Sequence, residues 1–126
     1  MNAPPKKVLI VDDAGPVIVL CVNVLQSLGY SAKGVNRGEP ALELLRKEPF
    51  DLMIVDYKMP GLNGLQVWEQ ARTIRDGMAF VLVTGHATPQ IVEEANRLGC
   101  KSILLKPFTS AQLRGAVEKA LVAGGQ

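Results

Sequence analysis

The sequence predicts an α/β fold in which five parallel strands, in the order 2-1-3-4-5, form one doubly wound sheet flanked by five helices. Three observations predict it. Short apolar runs alternate with segments of helical length along the whole chain, as repeated βαβ units with right-handed crossovers require. The runs are apolar throughout, as strands covered on both faces must be. Four of them end in reactive groups: Val8-Leu9-Ile10-Val11 in Asp12-Asp13, Leu52-Met53-Ile54-Val55 in Asp56, Phe80-Val81-Leu82-Val83 in Thr84, and Ile103-Leu104-Leu105 in Lys106-Pro107. The carboxyl ends of parallel strands lie together, so these groups converge.

The first strand leads into Gly15-Pro16, where proline suits the opening turn of a helix, and Gly29 offers its left-handed stop. A weaker strand over 31–35 ends in Asn36, and a second helix over 39–47 lies between Gly38-Glu39-Pro40 and Pro49. After the third strand, Met59-Pro60-Gly61-Leu62-Asn63-Gly64 reads as a turn-rich loop before a third helix over 65–74. Thr88-Pro89 opens a fourth helix that Gly99 stops; Thr109-Ser110-Ala111-Gln112 is a capping box for the last, which ends near Gly124-Gly125. The second strand delivers no reactive group and belongs on the far edge. The switch point then falls between strands one and three, where Asp12, Asp13 and Asp56 meet.

A chain of 126 residues is expected to form a single domain over 1–126, with its core over about 7–122. With 48% apolar and 21% charged residues it is globular in composition, and its apolar stretches stop short of the ~20 residues a membrane span needs. The start, Met1 to Lys7, has no apolar leader core, which points to a cytoplasmic protein. Cys21 and Cys100 have neither metal-ligand spacing nor disulfide density and read as two reduced thiols. A net charge of +2, with no basic tract, gives no footprint for direct nucleic-acid binding.

Three carboxylates in one crevice repel each other, and a hard divalent cation resolves the conflict. Mg²⁺ suits a set of oxygen ligands, and Mn²⁺ can replace it. Once screened, one carboxylate can attack phosphorus and form an acyl phosphate, with Thr84 and Lys106 holding the phosphoryl oxygens.

Asp12-Asp13, Asp56-Tyr57-Lys58-Met59-Pro60-Gly61 followed by Asn63-Gly64, Thr84-Gly85 and Lys106-Pro107-Phe108 stand in an order and spacing that resembles a response-regulator receiver domain of the single-domain, chemotaxis type. The match runs from Val8 to about Leu121. The resemblance implies a flavodoxin-like fold and a role for each matching position. Asp56 accepts phosphate from a phosphohistidine of a sensor histidine kinase or histidine phosphotransfer domain. Asp13, Asp56 and the backbone carbonyl of Lys58 ligate Mg²⁺, Asp12 acts through metal-bound water, Thr84 hydrogen-bonds the phosphoryl group, and Lys106 pairs with it. Lys106-Pro107 is expected to be cis. Lys58 and His86 occupy the rim positions that tune attack by water on the acyl phosphate. Neither is a carboxylate or amide, so a long-lived phosphorylated state is expected.

Two features depart from the family pattern. Ile103 stands where an aromatic usually couples to the threonine, so switching falls to the loop after Thr84 or to other packing, and the face of helix four, strand five and helix five is expected to change little. The first helix carries no charge between Asp13 and Lys33. If Leu20, Cys21, Val24, Leu25 and Leu28 form its buried stripe, the other face exposes Ile18, Val19 and Val22. That face is either scattered surface apolarity or a docking surface, in which Val17, Ile18 and Val22 bind a partner bundle or a second copy of the chain as a weak homodimer.

The expected function is that of a stand-alone receiver that signals in trans to a downstream protein through phosphorylation-dependent binding or phosphorelay. It is not a turnover enzyme on this reading. One alternative is a receiver excised from a hybrid histidine kinase. Another is a phosphoaspartate hydrolase of the haloacid-dehalogenase type, but that class carries Asp-x-Asp on its first strand, whereas Asp12 and Asp13 are adjacent here.

Overall fold

The computed structural model describes residues 4–124. Met1 to Ala3, at the start read as lacking a leader, and Gly125, part of the expected stop of the last helix, lie outside the described residues. The elements run β1 (Lys7–Val11), α1 (Gly15–Ser27), β2 (Ser31–Val35), α2 (Gly38–Lys47), β3 (Leu52–Asp56), α3 (Gly64–Ile74), β4 (Ala79–Thr84), α4 (Pro89–Arg97), β5 (Ser102–Leu105) and α5 (Ser110–Gly124). All five strands pair in parallel, in the order β2-β1-β3-β4-β5. No described helix is long and apolar enough to cross a membrane.

The period of two along each strand splits the interior into two cores. Leu9, Val11, Met53, Val55, Phe80 and Leu82 face one way, with Leu45, Leu65, Val67 and Ala95 of α2, α3 and α4. Val8, Ile10, Leu52, Ile54, Val81 and Val83 face the other, with Cys21 and Leu25 of α1 and Leu113 and Val117 of α5. Each fully buried side chain of this size is worth roughly 1.5–3 kcal/mol, so both faces must be covered. β2 and β5 are the edges. On β2, Lys33 is exposed and pairs with Glu48, which also binds Lys7, so the edge strand is tied down by charge.

The helix ends follow their local chemistry. Gly29 (φ +94°) and Gly99 (φ +83°) take the left-handed conformation after α1 and α4. Thr88 caps α4 through Ile91 N–H, and Thr109 and Gln112 exchange the two bonds of a capping box. The same device opens α3, where Asn63 accepts from Gln66 N–H and the Gln66 side chain accepts from Asn63 N–H.

The packing of α1 corrects the stripe expected for it. Its buried residues are Cys21 and Leu25, with Ile18 and Val22 half-buried against the same core, a spacing of i, i+3, i+4 and i+7. Leu20 and Leu28 are exposed, and so is Val19. Ile18 and Val22 are therefore not an outer face. Because α1 is apolar nearly all round, periodicity could not choose its inward side; the neighbouring strand does. Ile18 Cγ2 occupies the place where any β-carbon on Gly34 would stand, so α1 rests against β2 through Ile18.

Candidate functional site

Asp12 directly follows β1 and Asp56 is the last residue of β3; these strands are neighbours in the sheet. Both residues are buried, at 2% and 5% exposure, while Asp13 faces solvent. One carboxylate oxygen from each of Asp12, Asp13 and Asp56 lies within 4.8 Å of the other two. Across from them, Lys106 Nζ is 3.0 Å from Asp12 Oδ2 and 3.4 Å from Asp56 Oδ1. Lys106 follows β5, and its peptide bond to Pro107 is cis, as the resemblance implied.

Electrostatics in the crevice are unbalanced. Burial first, and then the negative charge of Asp12, push the Asp56 carboxyl from its ordinary 3.8 up to about 6, although Lys106 pulls the other way. Burial works against the Lys106 ammonium, but its bonds to Asp12 and Asp56 prevail and raise its pKa above the usual value. One ammonium thus faces more negative charge than it neutralises. Three converging oxygen donors with a surplus of negative charge fit a hard divalent cation such as Mg²⁺.

Local backbone geometry holds these groups in place. Asp12 Oδ1 accepts from Ala14 N–H at 2.9 Å, which turns the chain from β1 toward α1. Tyr57 N–H donates to Val83 O at 2.7 Å, and Lys106 N–H to Thr84 O at 2.9 Å, so the ends of β3, β4 and β5 are laced together. Thr84 is buried at the tip of β4; its hydroxyl donates to His86 O and accepts from His86 N–H, both at 3.1 Å. His86 and Lys58 are exposed beyond the strand ends. Ile103 is half-buried on the side of the sheet that carries α4.

Gly64, which the sequence marks only as part of a turn-rich loop and of the Asn63-Gly64 step, has a specific structural role. A β-carbon there would lie 2.6 Å from the carbonyl oxygen of Asp56, and Gly64 N–H donates to Tyr57 O at 2.8 Å. The start of α3 is therefore seated on the backbone of Asp56. The signal was present in Asn63-Gly64-Leu65-Gln66, whose outer members spell a capping box around the glycine. Cys21 and Cys100 are both free and buried, and burial pushes the Cys21 thiol up to about 12.

The family model described as response regulator receiver domain matches residues 8–118. Sporulation initiation phosphotransferase F of Bacillus subtilis is 30% identical over 116 residues, covering 92% of this chain and 94% of that protein. Chemotaxis protein CheY-3 of Vibrio cholerae is 30% identical over 116 residues, covering 90% and 89%. Among solved structures, a CheY-like response regulator receiver domain protein from Methanospirillum hungatei superimposes with a TM-score of 0.89 at 26% identity, covering 96% of this chain and 97% of that one.

Proposed function

The chain belongs to the response-regulator receiver family and is a phosphoryl-accepting receiver, and on that premise we propose that Asp56 is the residue phosphorylated. One observation carries this reading: Asp12, Asp13 and Asp56 converge at the strand ends with Lys106 against two of them. An Asp56 carboxylate oxygen attacks the phosphorus of a phosphohistidine, a phosphorus–oxygen bond forms, and the phosphorus–nitrogen bond breaks as the imidazole leaves. The donor is a sensor histidine kinase or a histidine phosphotransfer domain. Lys106 supplies positive charge to the phosphoryl oxygens, and Thr84 turns its hydroxyl proton toward one of them.

Asp12, Asp13, Asp56 and the carbonyl of Lys58 would hold Mg²⁺, or Mn²⁺ in its place. Bound there, the ion would neutralise the carboxylates and the incoming phosphoryl group. The chain would then act as a signalling substrate in the cytoplasm and not as a turnover enzyme, and its output would be read by another protein. The adjacent placement of Asp12 and Asp13, with Asp56 on a different strand, does not favour the hydrolase alternative.

The donor's helical bundle would dock beside the site, where Val17 and Leu20 form an apolar groove with Pro107 and Phe108 next to Lys106. This replaces the face of Val17, Ile18 and Val22, of which only Val17 lines the groove. Leu20→Lys should slow transfer from a phosphohistidine donor and leave labelling by a small donor intact; unchanged transfer would remove this surface from the reading.

The decisive experiment is incubation with Mg²⁺ and acetyl phosphate followed by intact mass. Wild type should gain one phosphoryl group only with the metal, and Asp56→Asn none. A wild-type chain that gains no Mg²⁺-dependent adduct would overturn the proposal.

A further inference from the structure

We propose that Gly34 and Ile18 are a positioning pair that sets the width of the donor groove: Gly34 leaves a notch in the edge strand β2, and α1 seats Ile18 in it. The inference rests on the reading of Val17, Leu20, Pro107 and Phe108 as the surface that receives the phosphohistidine donor. A glycine inside a strand gives up packing and backbone order, so it marks a bulge, a bend or a close approach. Gly34 has no positive φ and keeps its place in the parallel ladder, opposite Ile10 of β1. Its need is therefore for space. A β-carbon on Gly34 would stand where Ile18 Cγ2 is, with Ile18 Cβ at 3.5 Å and Ile18 Cγ1 at 3.8 Å, so the three nearest atoms all belong to one side chain.

Ile18 cannot step aside. A β-branched residue in a helix holds essentially one χ1 rotamer, because the others drive a γ-carbon into the preceding turn. Cγ2 is bonded directly to Cβ, so its position follows the backbone of α1. Filling the notch must then move the helix. Carbon atoms rest about 3.5–4.0 Å apart, and restoring that separation requires α1 to recede at Ile18 by more than about 1 Å.

One wall of the groove rides on α1 and the other does not. Val17 directly precedes Ile18 and Leu20 follows it by two residues, whereas Pro107 and Phe108 belong to the segment after β5, which Lys106 N–H ties to Thr84 O. The start of α1 is held to the site instead. No side chain caps it; Ala14 N–H donates to Asp12 Oδ1, and Ile18 N–H donates to Ala14 O at 3.2 Å. Recession at Ile18 thus pivots on Ala14, leaving Asp12 in place while Val17 and Leu20 shift against Pro107 and Phe108. A donor seated in the groove must bring its phosphohistidine in line with Asp56, and a misplacement of about 1 Å can cost roughly 100-fold in rate. Acetyl phosphate reaches Asp56 without the groove. β2, the strand that delivers no reactive group, acts by fixing how closely α1 approaches the sheet.

The test compares Gly34→Ala, Ile18→Ala and the double variant as full chains with Mg²⁺, labelled by two routes: acetyl phosphate, and the phosphorylated form of a histidine phosphotransfer domain that labels wild type. Gly34→Ala should lower kcat/KM for the protein donor by roughly 10- to 100-fold and slow labelling by acetyl phosphate far less. Ile18→Ala empties the notch without a clash. In the double variant the added β-carbon enters the space that Ile18 Cγ2 vacates, so adding Gly34→Ala to Ile18→Ala should cost no further transfer, the non-additivity expected of residues in contact. Equal losses with both donors, wild-type transfer in Gly34→Ala, or additive losses in the double variant would each overturn the positioning role. Should Gly34→Ala not fold, the comparison of Ile18→Ala with the double variant decides alone. If Leu20→Lys leaves transfer unchanged, the groove reading fails and the role of the pair with it; slowed transfer in Leu20→Lys beside unimpaired Gly34→Ala overturns the positioning role alone.

Discussion

Lys106 Nζ lies 3.0 Å from Asp12 Oδ2, nearer than its 3.4 Å approach to Asp56 Oδ1, so the ammonium rests on the carboxylate next to the proposed phosphorylation site. It therefore stabilises the empty crevice as well as the charged transition state. Lys106→Met leaves two buried carboxylates without a counter-charge. In chelator it should lose about 1–3 kcal/mol in denaturant unfolding, the cost of an unpaired buried charged group. With Mg²⁺ and a small phosphodonor, labelling should slow roughly 100-fold, as when one charge-stabilising donor is removed. Wild-type stability and rate would count against both roles.

The raised pKa of Asp56 fixes the sign of a pH effect. Its carboxyl titrates at about 6 in the fold against 3.8 ordinarily, so the folded state binds this proton more tightly than the unfolded chain. The stability it contributes is present below pH 4 and is lost as pH rises through about 6. A displacement of that size corresponds to on the order of 3 kcal/mol. In chelator, Asp56→Asn should be the more stable protein above pH 6, the difference should vanish near pH 4, and Mg²⁺ should stabilise wild type more than the variant. Parallel pH curves would refute the assignment.

Gly64 tests how tightly α3 is seated on the site. The β-carbon of Gly64→Ala would meet backbone atoms, 2.6 Å from Asp56 O and 3.0 Å from Tyr57 Cα, which cannot swing aside as a side chain can. The expected cost is about 1–3 kcal/mol of stability. Phosphorylation should also slow, because relief of the clash displaces Asp56. A variant with unchanged unfolding would mean that α3 adjusts independently of the site.

Lys58 and His86 are exposed at the rim, with neither a carboxylate nor an amide to orient water toward an acyl phosphate. The wild-type phosphorylated form should therefore outlast that of Lys58→Asn/His86→Glu, followed as loss of the mass adduct over time. Equal lifetimes would show that these positions do not govern hydrolysis here.

Much of this is legible in the sequence alone. Apolar runs that end in Asp12, Asp56, Thr84 and Lys106 specify both a parallel sheet and the side on which its chemistry lies, because strand direction and the period of two are local properties of the chain. Gly29, Gly99, Thr88 and Thr109 marked helix ends for the same reason. α1 resisted such reading. Its apolar residues surround the helix, so Ile18 and Val22 are sorted from Leu20 and Leu28 only by tertiary packing: the first two lie against the core of β1 and β3, and Ile18 meets Gly34, sixteen residues further along the chain.

Long-range partners were invisible for a related reason. Nothing near Trp68 or Arg72 in the sequence points to Leu98, to whose carbonyl oxygen both donate at the end of α4, and the capping box around Gly64 marks the start of a helix without showing that this start abuts the Asp56 carbonyl. Local pattern was sufficient for which residues carry the chemistry and at which end of the sheet they emerge, since spacing and residue type encode those directly. Which face of α1 is buried, where α4 is fastened, and how far the Asp56 carboxyl is pushed from its ordinary pKa all arise from atoms distant in sequence, brought within hydrogen-bonding or packing range when the strands assemble.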